Sequence, residues 1–167
     1  NKNNYDSAIV YFSKSIDLNP KYYQAYNNRA NSYSNKEDFY SAISDYNIAI
    51  DLNPKYADAY YNRAYSYKLM GKYKMALRDF NKVTELNPND LESYVNKGEI
   101  FKNLNEFKKS VDEFSESILL DSGYFEVYFN RGYCNQKLKN LNEAIADYTK
   151  SIEIKPNISS YNNRGLA

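Results

Sequence analysis

The sequence contains no histidine and only one cysteine, Cys134. Without histidine, the chain cannot build a Ser-His-Asp or Cys-His arrangement for nucleophilic catalysis. One cysteine and no histidine also leave no zinc site of the usual ligand set. The five glycines are dispersed and form no phosphate-binding loop. We therefore expect a protein that is not an enzyme and has no catalytic residue, no metal site and no cofactor.

A lone cysteine cannot form a disulfide within the chain, which favours a reducing compartment, so we expect a cytoplasmic protein. Neither sign of charge is in excess, because 22 basic and 21 acidic residues give a net charge of +1. This balance provides no electrostatic footprint for nucleic acid or for an anionic membrane surface. No apolar run approaches the roughly 20 residues of a membrane-spanning helix. We expect neither nucleic acid nor membrane as a main partner.

Tryptophan is absent, whereas tyrosine (20 residues) and phenylalanine (8 residues) are abundant. Aromatic rings must therefore supply much of the buried area, with phenol hydroxyls reaching the surface. This composition suits thin layers of structure better than a deep globular core.

Prolines are few, but their spacing reveals an internal repeat. Pro20, Pro54 and Pro88 are 34 residues apart, and Pro156 follows after 68 residues. The segment 121–123, Asp-Ser-Gly, supplies turn chemistry at the place of the missing proline. The same period aligns further columns: Tyr26, Tyr60, Tyr94 and Tyr128; Ala30, Ala64, Gly98 and Gly132; Ala8, Ala42, Ala76, Ser110 and Ala144. A fixed period of this length is typical of repeat proteins.

Each period predicts two helices. Apolar and small residues recur at helical spacing in the first half, as in Tyr26, Ala30 and Tyr33, and again in the second half after a break at 35–37. Asn53-Pro54 should end the second helix, because a residue before proline is pushed out of helical geometry. A helical pair this thin cannot bury its apolar faces alone, so the pairs must stack. The predicted fold is an all-α, right-handed superhelical solenoid of antiparallel helix pairs.

The second period carries the residues of a family resemblance: Tyr60-Tyr61-Asn62-Arg63-Ala64, Tyr67, Gly71, Tyr73, Ala76, Phe80 and Pro88. This series resembles the tetratricopeptide repeat. It predicts a single solenoid over residues 1–167: 1–22 as the second helix of a truncated repeat, 23–56, 57–90, 91–124 and 125–158 as full repeats, and 159–167 as the start of a further repeat. The last full repeat has a polar Asn135 where the others have Tyr33, Tyr67 and Phe101. Because the chain opens with Asn1 and not Met, we expect a fragment of a longer protein.

A column of asparagines marks the candidate binding site. In such a solenoid the first helices line the concave side, where side chains not used for packing face a groove. A primary amide both donates and accepts hydrogen bonds, as gripping an extended peptide backbone requires. The column resembles the asparagine ladder in the superhelical repeats of O-linked N-acetylglucosamine transferases. We predict that the groove residues include Asn28, Asn62, Asn96, Asn130 and Asn163.

Aromatic residues flank this column, one residue before or three after the asparagine. We predict that Tyr61, Tyr65, Phe129 and Tyr133 are anchors in the groove, since aromatic anchors surrounded by polar groups characterise binding surfaces. The alternative is that these rings lean on neighbouring repeats as additional core.

The sequence predicts a protein-interaction scaffold that binds a protein or peptide segment in the groove. One alternative is a co-chaperone adaptor, which by resemblance would hold a C-terminal carboxylate with lysines, an arginine and asparagines. Here the basic places are occupied by Asn27, Glu92 and Asn96, so the charge-assisted bonds of such a clamp are missing. A second alternative is a substrate-recruiting arm of a larger enzyme.

Two further expectations follow from the repeat. Opposite charges rise together in two columns: Arg29, Arg63, Lys97 and Arg131, and, sixteen residues later, Asp45, Asp79, Glu113 and Asp147. We predict that each cation forms an ion pair with an acid on a second helix of the same or the adjoining repeat. A half-buried cation needs such compensation.

We also expect head-to-tail self-association, because a lone second helix at one end, carrying Ala8, Ile9 and Phe12, could complete a repeat with a lone first helix at the other, carrying Tyr161 and Gly165.

Overall fold

In the computed structural model, residues 2–167 are described, with side chains from residue 4 onward. These residues form ten α-helices and no strand, which confirms the predicted all-α class. None of these helices combines the length and apolar character needed to cross a membrane. The chain divides into two compact units, unit 1 over Asn1–Pro88 and unit 2 over Asn89–Ala167.

Unit 1 contains five helices, and each packs against the next along the chain. α2 with α3, and α4 with α5, form the two predicted helix pairs, so the unit is a short helical solenoid. The first helices α2 and α4 also contact each other. The helices are α1 (Lys2–Leu18), α2 (Tyr23–Asn35), α3 (Phe39–Leu52), α4 (Ala57–Leu69) and α5 (Tyr73–Leu86).

Unit 2 repeats this arrangement, with pairs α6 with α7 and α8 with α9 followed by a single first helix. The first helices α6 and α8 are again in contact. The helices are α6 (Leu91–Asn103), α7 (Phe107–Leu120), α8 (Phe125–Lys137), α9 (Leu141–Ile154) and α10 (Ile158–Leu166).

The second helices end where the sequence predicts. α3 stops at Leu52, and Asn53 before the proline is extended, with φ −141° and ψ 91°. Within each pair the turn needs a left-handed residue at the same place in the period, where φ is 59–70° at Glu37, Gly71, Asn105 and Lys139. Only glycine adopts this conformation without a steric penalty, so three of these four turns are strained.

Small residues let the paired helices approach closely. In unit 1, Ala30 and Ala42 are fully buried together with Tyr46. In unit 2, Gly98 lies so close to Phe114 that a Cβ there would come within 2.6 Å of the ring. The stacked pairs therefore place one face of each first helix against its own second helix and leave the other side chains of the first helices to form the candidate site.

Candidate functional site: the first-helix side chains and their ion pairs

The predicted ion pairs of unit 1 are formed, and both are bidentate. Arg29 donates from Nε and Nη2 to the two carboxylate oxygens of Asp45, at 2.7 and 2.8 Å. Arg63 binds Asp79 in the same way, at 2.6 and 2.9 Å. Arg63 is only 8% exposed and Asp79 only 1%. Each pair thus joins a first helix to the second helix of its own repeat.

The two pairs of unit 2 are formed as well. Lys97 Nζ lies 2.8 Å from a carboxylate oxygen of Glu113. Arg131 Nη2 lies 2.7 Å from Asp147 Oδ1, and its Nε also donates to this carboxylate. The predicted pairing of the two columns is therefore confirmed, and in all four cases the acid belongs to the same repeat as the cation.

Each arginine of these pairs also reaches the preceding second helix, which the sequence reasoning missed. The remaining Nη1 of Arg63 donates to Asn47 Oδ1 at 2.6 Å. Arg29 and Arg131 bind the hydroxyls of Ser13 and Ser115 in the same way, both at 3.0 Å. These partners lie sixteen residues before the cation, and this polar column was a signal available in the sequence. One guanidinium thus connects three helices.

Each cation of these pairs also contacts a tyrosine ring. The charged group lies over the ring of the tyrosine three residues earlier on the same helix, which is the lead tyrosine of the repeat. The distances to the ring centroid are 5.7 Å for Arg29 on Tyr26, 5.5 Å for Arg63 on Tyr60, 4.6 Å for Lys97 on Tyr94 and 5.7 Å for Arg131 on Tyr128. Cation–π attraction is worth about 0.5–2 kcal/mol, more where the group is desolvated, so the ring offsets part of the burial cost.

The electrostatic balance favours the charged form of Arg29 and Arg63. At Arg63, burial acts to lower the pKa, but the hydrogen bonds and the charge of Asp79 outweigh it and raise the pKa. At Arg29, the hydrogen bond that the guanidinium donates to Asp45 is the largest influence and raises the pKa. The guanidinium groups therefore stay cationic and are used within the fold, where a ligand anion would have to displace a carboxylate.

The amides of unit 1 differ in their surroundings. Asn28 is exposed, and its Oδ1 accepts a long hydrogen bond of 3.5 Å from Asn27. Asn62 is half-buried, and its Nδ2 donates to Asn27 Oδ1 at 3.1 Å. Asn27 itself is 3% exposed and also donates to the hydroxyl of Tyr56. The Asn62 amide therefore connects adjacent first helices through its nitrogen and presents its oxygen as an acceptor.

The three predicted amides of unit 2 each form a hydrogen bond within the fold. Asn96 is 5% exposed, and its Nδ2 donates to the carbonyl oxygen of Glu92 on its own helix at 2.8 Å. Asn130 accepts from Lys102 Nζ at 2.7 Å, which leaves its NH2 group as a donor. Asn163 is half-buried and bonds the hydroxyl of Tyr148. That bond opposes the effect of burial, which raises the pKa of Tyr148 to about 12.

Of the four predicted aromatic anchors, Tyr65 is the most exposed, at 43%, and Lys68 Nζ lies 5.7 Å from its ring centroid. The other three are half-buried and contact rings of the second helices. Tyr61 meets Phe80 edge-on at 5.6 Å, Phe129 lies 5.9 Å from Tyr148, and Tyr133 meets Phe107 edge-on at 6.3 Å. These three rings therefore contribute to packing, Tyr61 and Phe129 within their own repeats and Tyr133 against the preceding repeat.

A buried polar cluster in unit 1 was not foreseen. The hydroxyl of Tyr46 donates to Asn31 Oδ1 at 2.6 Å and also bonds Ser34 and Ser66. The two serine hydroxyls, on adjacent first helices, are 3.2 Å apart. Burial is the main reason that the pKa of Tyr46 is raised. This cluster ties α2, α3 and α4 together.

Sequence models of the tetratricopeptide repeat match the chain five times. One model matches residues 23–56, 57–90 and 125–158, and a second matches residues 1–22 and 91–124. The chain belongs to the tetratricopeptide repeat family. No curated protein matches its sequence closely enough to count as a relative.

Solved structures of MamA share the fold of this tetratricopeptide repeat protein. One MamA crystal structure has 17% sequence identity and a TM-score of 0.85, and the match covers 99% of this chain and 94% of MamA. Another has 19% identity and a TM-score of 0.84, with 92% and 84% covered. MamA from Desulfovibrio magneticus RS-1, residues 41 to the end, has 18% identity and a TM-score of 0.83, with 90% and 85% covered. At these identities the likeness concerns the fold alone.

Proposed function

We propose that this tetratricopeptide repeat protein is a non-enzymatic protein-interaction scaffold that binds an extended peptide segment along its first helices. The observation that carries the proposal is the presentation of the Asn62 and Asn130 amides on these helices, each held by the fold through one polar atom. In unit 1, the Asn62 oxygen is an acceptor for a peptide N–H. In unit 2, the Asn130 nitrogen is a donor for a peptide carbonyl. Holding an amide in place reduces the entropy lost when a ligand binds.

The ligand should contact the exposed side chains of this face first. Tyr65 offers a large, rigid and accessible ring in unit 1, and such rings are enriched among residues that dominate binding energy. Asn28 contributes an exposed amide one repeat earlier. The nearly buried Asn96 should contribute least, because its nitrogen is committed to its own helix.

Recognition of a free C-terminal carboxylate is not part of the proposal. In unit 1, Asn27 is buried and bound to Tyr56 and Asn62. In unit 2, Glu92 is exposed and would repel a carboxylate. A ligand held through its backbone amides fits these residues better than one held through a terminal charge.

The test is a selection of peptide ligands from a random library on the intact chain, followed by affinity measurements on variants. Replacing Asn62, Asn96 and Asn130 together with Ala should weaken binding by roughly 0.5–1.5 kcal/mol per lost hydrogen bond. A matched control replaces Asn81 and Asn142, two exposed asparagines of second helices, with Ala. If the triple variant has an unchanged circular dichroism spectrum and binds the selected peptides as well as the control does, the proposal fails.

Head-to-tail self-association stays a prediction. Tyr11 on α1 and Tyr161 on α10 are both exposed, at 69% and 51%. Light scattering of the 167-residue chain over a range of concentrations tests it. A molecular mass that stays at the monomer value throughout contradicts it.

A further inference from the structure

Unit 2 contains a pocket of about 320 Å³ on the side of α8 that does not carry Asn130. Its lining comes from three consecutive helices: Val111 and Ser115 of α7, Arg131 and Asn135 of α8, and Glu143, Ala146 and Asp147 of α9. Arg131 and Asn135 are one helical turn apart and share a face. Asn130 precedes Arg131 by one residue and therefore points about 100° away from it. The pocket is thus separate from the proposed peptide face.

The pocket lies where this repeat has exchanged large side chains for small ones. Asn135 occupies the column of Tyr33, Tyr67 and Phe101. In unit 1, Tyr67 is 7% exposed, so an aromatic ring is buried at the equivalent position. At the column of Ala146 the other full repeats have Ser44, Arg78 and Asp112, so Ala146 has the smallest side chain of the four. These short side chains leave space beside Arg131 that a ring at position 135 or a long side chain at 146 would occupy.

The polar groups at the base of the pocket are fixed by hydrogen bonds. Asn135 is 5% exposed, donates to Asp147 Oδ2 at 3.1 Å and accepts from Asn140 at 3.4 Å. Arg131 is held by Asp147 and Ser115 and lies over the ring of Tyr128. Its side chain is 22% exposed. A pre-oriented, planar guanidinium is a good stacking surface for an aromatic ring.

The rest of the lining selects among ligand classes. Val111 and Ala146 provide apolar contacts, and Glu143 is an exposed carboxylate that can accept a hydrogen bond. Asp147 neutralises Arg131, so Glu143 gives the lining a net negative charge that would repel a carboxylate or a phosphate. A neutral ring with a hydroxyl group avoids this repulsion, can stack on the guanidinium and can donate a hydrogen bond to Glu143. Pockets of about 300 Å³ are at the lower end for small-molecule sites, and a dry cavity of about 150 Å³ already accepts benzene in another protein.

From this geometry we infer that the pocket binds a tyrosine side chain of a partner protein. The ring enters the space left by Asn135 and Ala146 and stacks on the Arg131 guanidinium. Its hydroxyl donates to the Glu143 carboxylate. The site adds an anchor for one specific residue to the peptide-backbone binding proposed for the other face of the first helices.

The test is a titration of the ¹⁵N-labelled chain with N-acetyl-tyrosinamide, followed by amide chemical shifts. We expect shifts confined to the surroundings of Ser115, Arg131 and Ala146, with a dissociation constant on the order of millimolar for so small a probe. N-acetyl-phenylalaninamide should bind roughly two- to tenfold more weakly because it lacks one hydrogen bond. N-acetyl-leucinamide should cause no localised shifts. Absence of localised shifts with the tyrosine probe, or equal binding of the leucine probe, overturns the inference.

Two variants close the pocket independently. Asn135→Tyr restores the ring found in the other repeats, and Ala146→Arg copies Arg78 at an exposed position, where folding is not at risk. Each variant should bind N-acetyl-tyrosinamide at least tenfold more weakly than the wild type. Matched controls introduce the same side chains elsewhere: Asn103→Tyr on α6 and Ser44→Arg on α3, both exposed. If Ala146→Arg binds the probe like the wild type, the pocket is not the site. Because Asn62 and Asn130 lie outside it, their Ala variants should bind the probe normally, so failure here is distinguishable from failure of the peptide proposal.

Discussion

The guanidinium of Arg63 binds the carboxylate of Asp79 through two parallel hydrogen bonds of 2.6 and 2.9 Å, and both residues are more than nine-tenths buried. A pair in this environment gains Coulomb energy but loses the hydration of both ions. The net contribution to stability is therefore small, whereas removal of one partner is costly.

Asp79→Ala should lower the free energy of unfolding by about 3–5 kcal/mol, because it leaves a buried guanidinium without its counter-ion. Replacing both Arg63 and Asp79 with Leu should cost less than this single change. The measurement is urea unfolding followed by circular dichroism, with Asp112→Ala on the exposed side of α7 as the control, expected within about 0.5 kcal/mol of wild type. Equal effects of Asp79→Ala and the control would refute a buried pair.

Glycine at the strained turns should stabilise the chain. Lys139 has φ 67° and Glu37 has φ 64°, a conformation that costs an L-residue about 1–2 kcal/mol. Glycine also increases the conformational entropy of the unfolded state, which offsets part of this gain. Each change to Gly should therefore raise the free energy of unfolding by about 0.5–1 kcal/mol. The converse change, Gly71→Ala at φ 70°, should lower the thermal midpoint. A lower midpoint for Lys139→Gly than for the wild type would contradict the turn geometry.

Gly98→Ala should destabilise unit 2 by about 1–3 kcal/mol, the range for overpacking in a well-packed core. The added Cβ would lie 2.6 Å from the ring of Phe114, so the helix pair must separate or the ring must move. Gly165→Ala is the matched control, since beyond its chain neighbours and its own helix backbone no atom lies within 4 Å of the Cβ there. Denaturant unfolding distinguishes the two, and similar midpoints for both variants would disprove the close approach.

Alkaline pH should destabilise the fold through its buried phenols. Burial raises the pKa of Tyr148 to about 12, whereas an unfolded tyrosine titrates near pH 10. Between about pH 10 and pH 12 the unfolded state therefore binds fewer protons than the folded state, and stability falls as pH rises. Urea midpoints measured across this range should decline, and Tyr148→Phe should reduce the decline. A decline of the same steepness in Tyr148→Phe would mean that Tyr148 is not responsible.

The sequence predicts most of the fold because each helix repeats the same pattern. The period shows that cations and acids rise together in two columns, as in Arg63 and Asp79. This predicts ion pairs, but it does not show whether each acid belongs to the same or the adjoining repeat. The hydrogen bond from Asn62 to Asn27 could not be foreseen, since a column of identical residues does not reveal which neighbour each amide meets. The packing of Tyr61 on Phe80 could not be foreseen either, because helical spacing predicts the helix face on which a ring lies but not its rotamer. Asn135 was visible as an exception, yet the pocket beside it depends on how far the adjacent helices relax into the vacant space.

Each buried arginine binds a carboxylate on the following helix and a polar group on the preceding helix. This arrangement affects how such a chain can lengthen. The carboxylate follows the cation by sixteen residues and the polar group precedes it by sixteen, as in Asn47, Arg63 and Asp79. A tandem duplication of any 34-residue block copies all three positions in phase, so the new copy arrives with its buried charge already compensated on both sides. An insertion of any other length between a cation and its carboxylate would change their spacing and separate them. Growth of the array by whole blocks is therefore the change that this protein tolerates most easily.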